Sequence, residues 1–91
     1  MQLRLFSKPV LVKRKHFIEE VTGLDDALDL LESWPEHARD LSFQTLHAAF
    51  VRAHQGSFPI ASARDNLLRF LARANMLIDD DASFPLANRA R

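Results

Sequence analysis

The chain has 91 residues, twelve basic and twelve acidic side chains, 47% hydrophobic residues, two glycines and no cysteine. That is enough for one domain burying about 60–65% of its unfolded surface, and too apolar a composition for global disorder. The absence of cysteine excludes disulfides, thiolate metal sites and thiol catalysis, and the zero net charge leaves only local patches to attract nucleic acid or anionic membrane.

No stretch approaches the ~20 apolar residues of a membrane span, and the opening Met1-Gln-Leu-Arg-Leu-Phe-Ser-Lys-Pro9 has no signal-peptide run. The cytoplasm is the expected compartment. Residues 1–8 read as a flexible N-terminus. Pro9 suits the first position of a strand. Val10 and Val12 then alternate with Leu11 and Lys13, a β-branched pattern for a strand with one buried face. A similar run, His16-Phe-Ile-Glu-Glu-Val21, follows. The polar Lys13-Arg14-Lys15-His16 between them supplies no Gly, Asn or Asp for a two-residue turn. An antiparallel hairpin with a basic tip is still the expected arrangement.

The first helix is the organising element. Leu24, Ala27, Leu28 and Leu31 share one face, which leaves Leu30 off it, with Asp25, Asp26, Asp29 and Glu32 mostly opposite. Thr22 is the expected N-cap, with Asp25 three residues on as a weaker capping box. Pro35 withholds an amide hydrogen and forces Trp34 out of the helical region, so the helix stops and the one Trp turns back to the core. Leu28, Leu31, Trp34 and Pro35 form the expected hub. A second helix runs from about Leu41 to Gln55 with Phe43, Leu46, Phe50 and Ala53 in one stripe. Asp40 or Ser42 caps it, and Gly56 fits the left-handed position after its end. A third runs from about Ile60 to Ala74 with Ala63, Leu67, Phe70, Leu71 and Ala74 inward. Asn75 takes the left-handed stop, and Met76-Leu-Ile78 folds back onto the core. Residues 79–91 read as a loose polar tail, which leaves 9–78 as the folded domain. The expected fold is α+β, an N-terminal antiparallel β-hairpin packed against three α-helices.

The order Pro9-Val10, Asp26-Ala27, Leu30-Leu31, Trp34-Pro35, Gly56, Ala63-Arg64 and Ala72-Arg73-Ala74 resembles the bacterial family called domain of unknown function 982. The similarity covers about residues 8–78. Its most specific piece is Ala27-Leu-x-Leu-Leu-x-x-Trp-Pro35, and the chain departs from it in the bulky Phe43 and Phe50 and in the extended tail. The resemblance implies a small α+β domain of free-living, often plant-associated bacteria, with no assigned activity. It carries over no catalytic or binding residue.

Chemistry-bearing groups are sparse. His47 and His54 share a helix face but lie about 10 Å apart along it, too far to hold one metal ion. Ser33, His37 and Asp40 are close in sequence, but nothing places them as a hydrogen-bonded chain with an oxyanion hole. The Asp79–Asp81 run lacks the glycine and distal glutamate of a calcium loop. No catalytic residue, cofactor or metal is expected. The leading reading is a non-enzymatic domain acting on a protein partner or on itself as a homodimer. It is supported by Phe17, Phe58 and Phe84 outside the helical stripes and by open strand edges. The alternative is nucleic-acid binding through Lys13, Arg14, Lys15, Arg69 and Arg73. Against it stand zero net charge and few side chains able to read base edges.

Overall fold

The computed structural model describes residues 4–78. The chain runs β1 (Leu5–Lys13), β2 (Ile18–Gly23), α1 (Leu24–Glu32), one 3₁₀ turn (Glu36–Ala38), α2 (Leu41–His54), α3 (Ile60–Arg73) and β3 (Leu77–Ile78). The expected tail 79–91, with Phe84, lies outside the described residues, as do residues 1–3. The α+β fold with a hairpin and three helices is as expected. Two details differ. β1 begins at Leu5, inside the segment expected to be flexible, because Leu5 pairs with Gly23 and Phe6 is buried. The sheet also has a third strand.

β1 is the central strand, in the order β2-β1-β3. Val10, Leu11, Val12 and Lys13 pair antiparallel with Val21, Glu20, Glu19 and Ile18. The hairpin closes where Arg14 N–H donates to the Phe17 carbonyl at 2.8 Å. It bends over Lys15-His16 with no positive φ at either residue. On the other edge Leu11 and Val12 pair with Ile78 and Leu77, and Lys13 N–H reaches the Met76 carbonyl at 2.6 Å. The return of Met76–Ile78 is thus a strand that covers an edge expected to stay open.

Between the Leu5–Gly23 and Val10–Val21 pairs the register shifts. β1 carries more residues than β2 there, and Pro9, which cannot donate to a ladder, sits in this irregular stretch. Phe6 shares the parity of Val10 and Val12 along β1 and is buried with them, its ring 6.3 Å from that of Phe50 in an edge-on contact.

Two helix ends follow the expected pattern in full. After α2, Gly56 has φ 86°; its N–H bonds Ala53 and the Ser57 N–H bonds Arg52. After α3, Asn75 has φ 63°; its N–H bonds Ala72 and the Met76 N–H bonds Leu71. Both are Schellman stops, satisfying carbonyls the helix leaves free. Asp40 caps α2 by accepting the Phe43 N–H at 2.9 Å.

The start of α1 is a correction. The N-cap is Gly23, not Thr22, so the helix begins one residue late for the expected box. The third helical position is Asp26, and its Oδ2 accepts the Thr22 hydroxyl at 2.7 Å and the Thr22 N–H at 3.1 Å. The buried face is turned as well: Leu24, Ala27, Leu30 and Leu31 are buried, while Leu28 is half-buried. Leu30 was expected off this face. α1 lies against both β2 and α2, and Leu30 is buried in the core between them.

Val10, Val12 and Val21 point from one sheet face into a core with Leu24, Leu31 and Phe50. α1 packs against β2, α3 against β1, and α2 joins α1 to α3. The molecule is only 18 Å through its thin axis, little more than one sheet and one helical layer.

Candidate functional site

The Val face of the sheet is spent on the core. By strand alternation and the observed register, Leu11, Lys13, Ile18, Glu20 and Ile78 lie on the other face. Ile18 is 58% exposed, and Leu11 and Ile78 are half-buried. Lys13 and Glu20 sit diagonally across this face. Neither has an ion-pair partner among the described residues. The free edge of β2 is poorly suited to pairing with another strand. It is short, carries Glu19 and Glu20 side by side, and its Thr22 amide is already taken by Asp26.

A second feature runs along the seam of α2 and α3. One cavity of about 340 Å³ is walled by Ser42 and Thr45 of α2 and by Asn66, Arg69 and Arg73 of α3, with Leu46 and Phe70 beneath. Leu41, 76% exposed, stands at its open end. A second cavity, about 400 Å³, continues it past Thr45 and Asn66, which line both, towards Ala48, Ala49 and Arg52. The small side chains of α2 create the trough.

The residues singled out from sequence fall as follows. In the hub, Leu31 is fully buried, Leu28 and Trp34 half-buried and Pro35 exposed. The indole packs 5.3 Å from the Phe70 ring and 6.4 Å from that of Phe43. In the basic set, Arg14 is bound to Glu19 at 2.5 Å and lies over the Phe17 ring, while Lys13 and Lys15 are exposed. Arg69 donates to the neutral Asn66 Oδ1 at 2.7 Å, and not to Asp65 one turn earlier. The tip cations sit on the sheet and the α3 pair lines the helical trough, so the set does not share one surface.

Ser33 and Asp40 are helix-end residues. The Ser33 hydroxyl donates to the Leu30 carbonyl at 2.8 Å, and Asp40 caps α2. His47 stacks on Phe43, and His54 Nε2 is 3.7 Å from Asp25 Oδ1. Among the described residues no three His, Asp or Glu side chains gather as a metal site, and no helix is long and apolar enough to cross a membrane. Phe58 is half-buried beneath the Arg52 guanidinium.

Two arginines outside the predicted site residues hold backbone carbonyls. Arg39 donates to the carbonyls of Trp34 at 3.0 Å and Glu32 at 2.9 Å, and its guanidinium lies 5.1 Å above the Phe43 ring. Arg64 reaches from α3 to the Lys8 carbonyl at 2.8 Å and towards that of Pro9 at 3.5 Å, within the stretch where the register of β1 against β2 shifts. The Ala63-Arg64 pair was visible as a family element; its partner was not.

The model of the family of proteins of unknown function DUF982 matches residues 8–78, from the Arg64-bound carbonyls to the end of β3. The chain belongs to the DUF982 family. No curated protein and no solved structure matches it. Both Arg64 and its Lys8 and Pro9 acceptors fall inside the DUF982 match, as do both surfaces described above.

Proposed function

We propose that this DUF982 chain is a non-enzymatic domain of the bacterial cytoplasm that acts through protein contacts, and that it pairs with itself through the open face of its sheet. The observation that carries this reading is the unpaired Lys13 and Glu20 flanking Leu11, Ile18 and Ile78 on a face that no described helix covers. A two-fold contact must be self-complementary. One cation and one anion set diagonally about an apolar row meet that condition, since each Lys13 can meet the other copy's Glu20. Pairing through the β2 edge would instead bring Glu19 and Glu20 against their own copies.

Three short strands offer a small interface, so the dimer should be weak, with Kd in the micromolar-to-millimolar range. Sedimentation of the full chain from about 10 μM to 1 mM tests it. Lys13→Glu and Glu20→Lys should each weaken self-association about tenfold. An equimolar mixture of the two variants should associate again, because the swapped charges then face each other. A chain that stays monomeric at about 1 mM, or variants that associate as well alone as mixed, would sink the reading.

A further inference from the structure

The geometry points to the α2–α3 trough as a binding site for an acidic amphipathic segment of a partner protein. Three arginines line it, Arg52, Arg69 and Arg73, and no carboxylate lines either cavity, although the chain has as many acids as bases. Among the described residues none of the three has a carboxylate partner: Arg69 bonds Asn66, Arg52 lies over Phe58, and Arg73 makes no bond. Arg4 and Arg14, by contrast, are paired with Asp25 and Glu19. Leaving three guanidinium groups along one trough gives it a uniform positive wall.

The floor decides what kind of anion fits. Leu46, Phe70 and Ala49 are buried, and Leu41 projects at the mouth, so an occupant must bring apolar side chains as well as charge. From Leu41 to Arg52 the trough follows three turns of α2, about 16 Å. That is the span of a three-turn helix laid in a groove with anchors at i, i+3 or i+4, and i+7. Guanidinium forks hold carboxylates in bidentate fashion from the flank. A nucleic-acid backbone matches less well: it would set phosphates and sugars over an apolar floor, and the Lys13–Lys15 cations lie on the sheet.

The test is selection of random dodecapeptides displayed on phage against the full chain, followed by anisotropy titration of enriched peptides. Enriched peptides should carry Asp or Glu together with Leu, Ile or Phe at helical spacing. Their affinity should fall at least tenfold for Arg69→Glu/Arg73→Glu and several-fold for the milder Arg69→Gln/Arg73→Gln, with circular dichroism unchanged. No enrichment, enrichment of neutral or basic peptides, or equal binding by the variants would overturn the proposal. So would a twelve-nucleotide single-stranded DNA that binds more tightly than any enriched peptide and is lost with the same arginines. The Lys13→Glu chain should bind the enriched peptides as the parent does, so failure of self-association and failure of peptide binding are read separately.

Discussion

A methyl group added at Gly23 would sit 2.4 Å from the Arg4 carbonyl oxygen and 3.0 Å from Leu5 Cα, both backbone atoms, although its φ of −175° suits any residue. Gly56 is the reverse case: nothing lies within 4 Å of the added atom, but φ is +86°. Gly23→Ala should therefore cost about 2–3 kcal/mol and free the start of β1, whereas Gly56→Ala should cost about 1 kcal/mol by conformation alone. Urea melts of the two variants give both numbers, and equal losses would refute the distinction. Asp26 supplies a pH-dependent case. Its carboxyl titrates below the ordinary 3.8 because the Thr22 hydroxyl and then the Thr22 amide hydrogen-bond the charged form, against a smaller opposing effect of burial. A lowered carboxyl contributes stability that is complete above its unfolded value and disappears as pH falls through its folded value. Asp26→Asn should cost about 1 kcal/mol at neutral pH. The gap to the parent should hold down to about pH 5 and close as pH drops below 3.8. A gap of the same size at low pH would show that hydrogen bonding to a charged carboxylate is not its source.

At the scale of elements, α1 ends against an arginine from the following loop. No basic residue lies in its last turn; Arg39 takes that place, closing the Glu32 and Trp34 carbonyls and covering the Phe43 face. Arg39→Ala should cost about 1–2 kcal/mol. Arg39→Lys should recover less than half of it, because an ammonium cannot meet both carbonyls and the ring in one geometry. Quenching of Trp34 fluorescence should rise in both. What was legible in the chain divides along this line. Asp40, Gly56 and Asn75 act on their own neighbours, so the start of α2 and the stops of α2 and α3 could be read directly. Arg39 was illegible because its acceptors are backbone carbonyls, which leave no trace in residue type. Leu30 was misplaced for a related reason: the buried face of α1 is set by the elements packed against it, β2 and α2, which the spacing within the helix does not name. β3 is two residues long, too short for any periodicity, and exists only because the Schellman turn at Asn75 aims it at β1.

The whole molecule is one irregular strand held from both sides: β2 and β3 pair along β1, and α3 lies beneath it. Neither open surface could be read as a site from sequence. The sheet face needs the register that sets Lys13 diagonal to Glu20. The trough needs side chains from two helices whose separation in sequence says nothing of their seam. Arg64 joins the layers, tying α3 to carbonyls more than fifty residues earlier at the point where the sheet ladder lapses. One short charge-assisted bond to the Lys8 carbonyl links α3 to this stretch of β1. Arg64→Ala should then cost about 1 kcal/mol globally, the second contact at 3.5 Å being too long to add much. Its local effect should be larger: amide exchange should quicken at Phe6–Val10 while protection at Val12 and Val21 is kept. Arg64→Lys should restore part of the global stability, because an ammonium can still reach the Lys8 carbonyl. Exchange that quickens evenly through β1 and β2 would mean that Arg64 supports the core as a whole and not the irregular stretch.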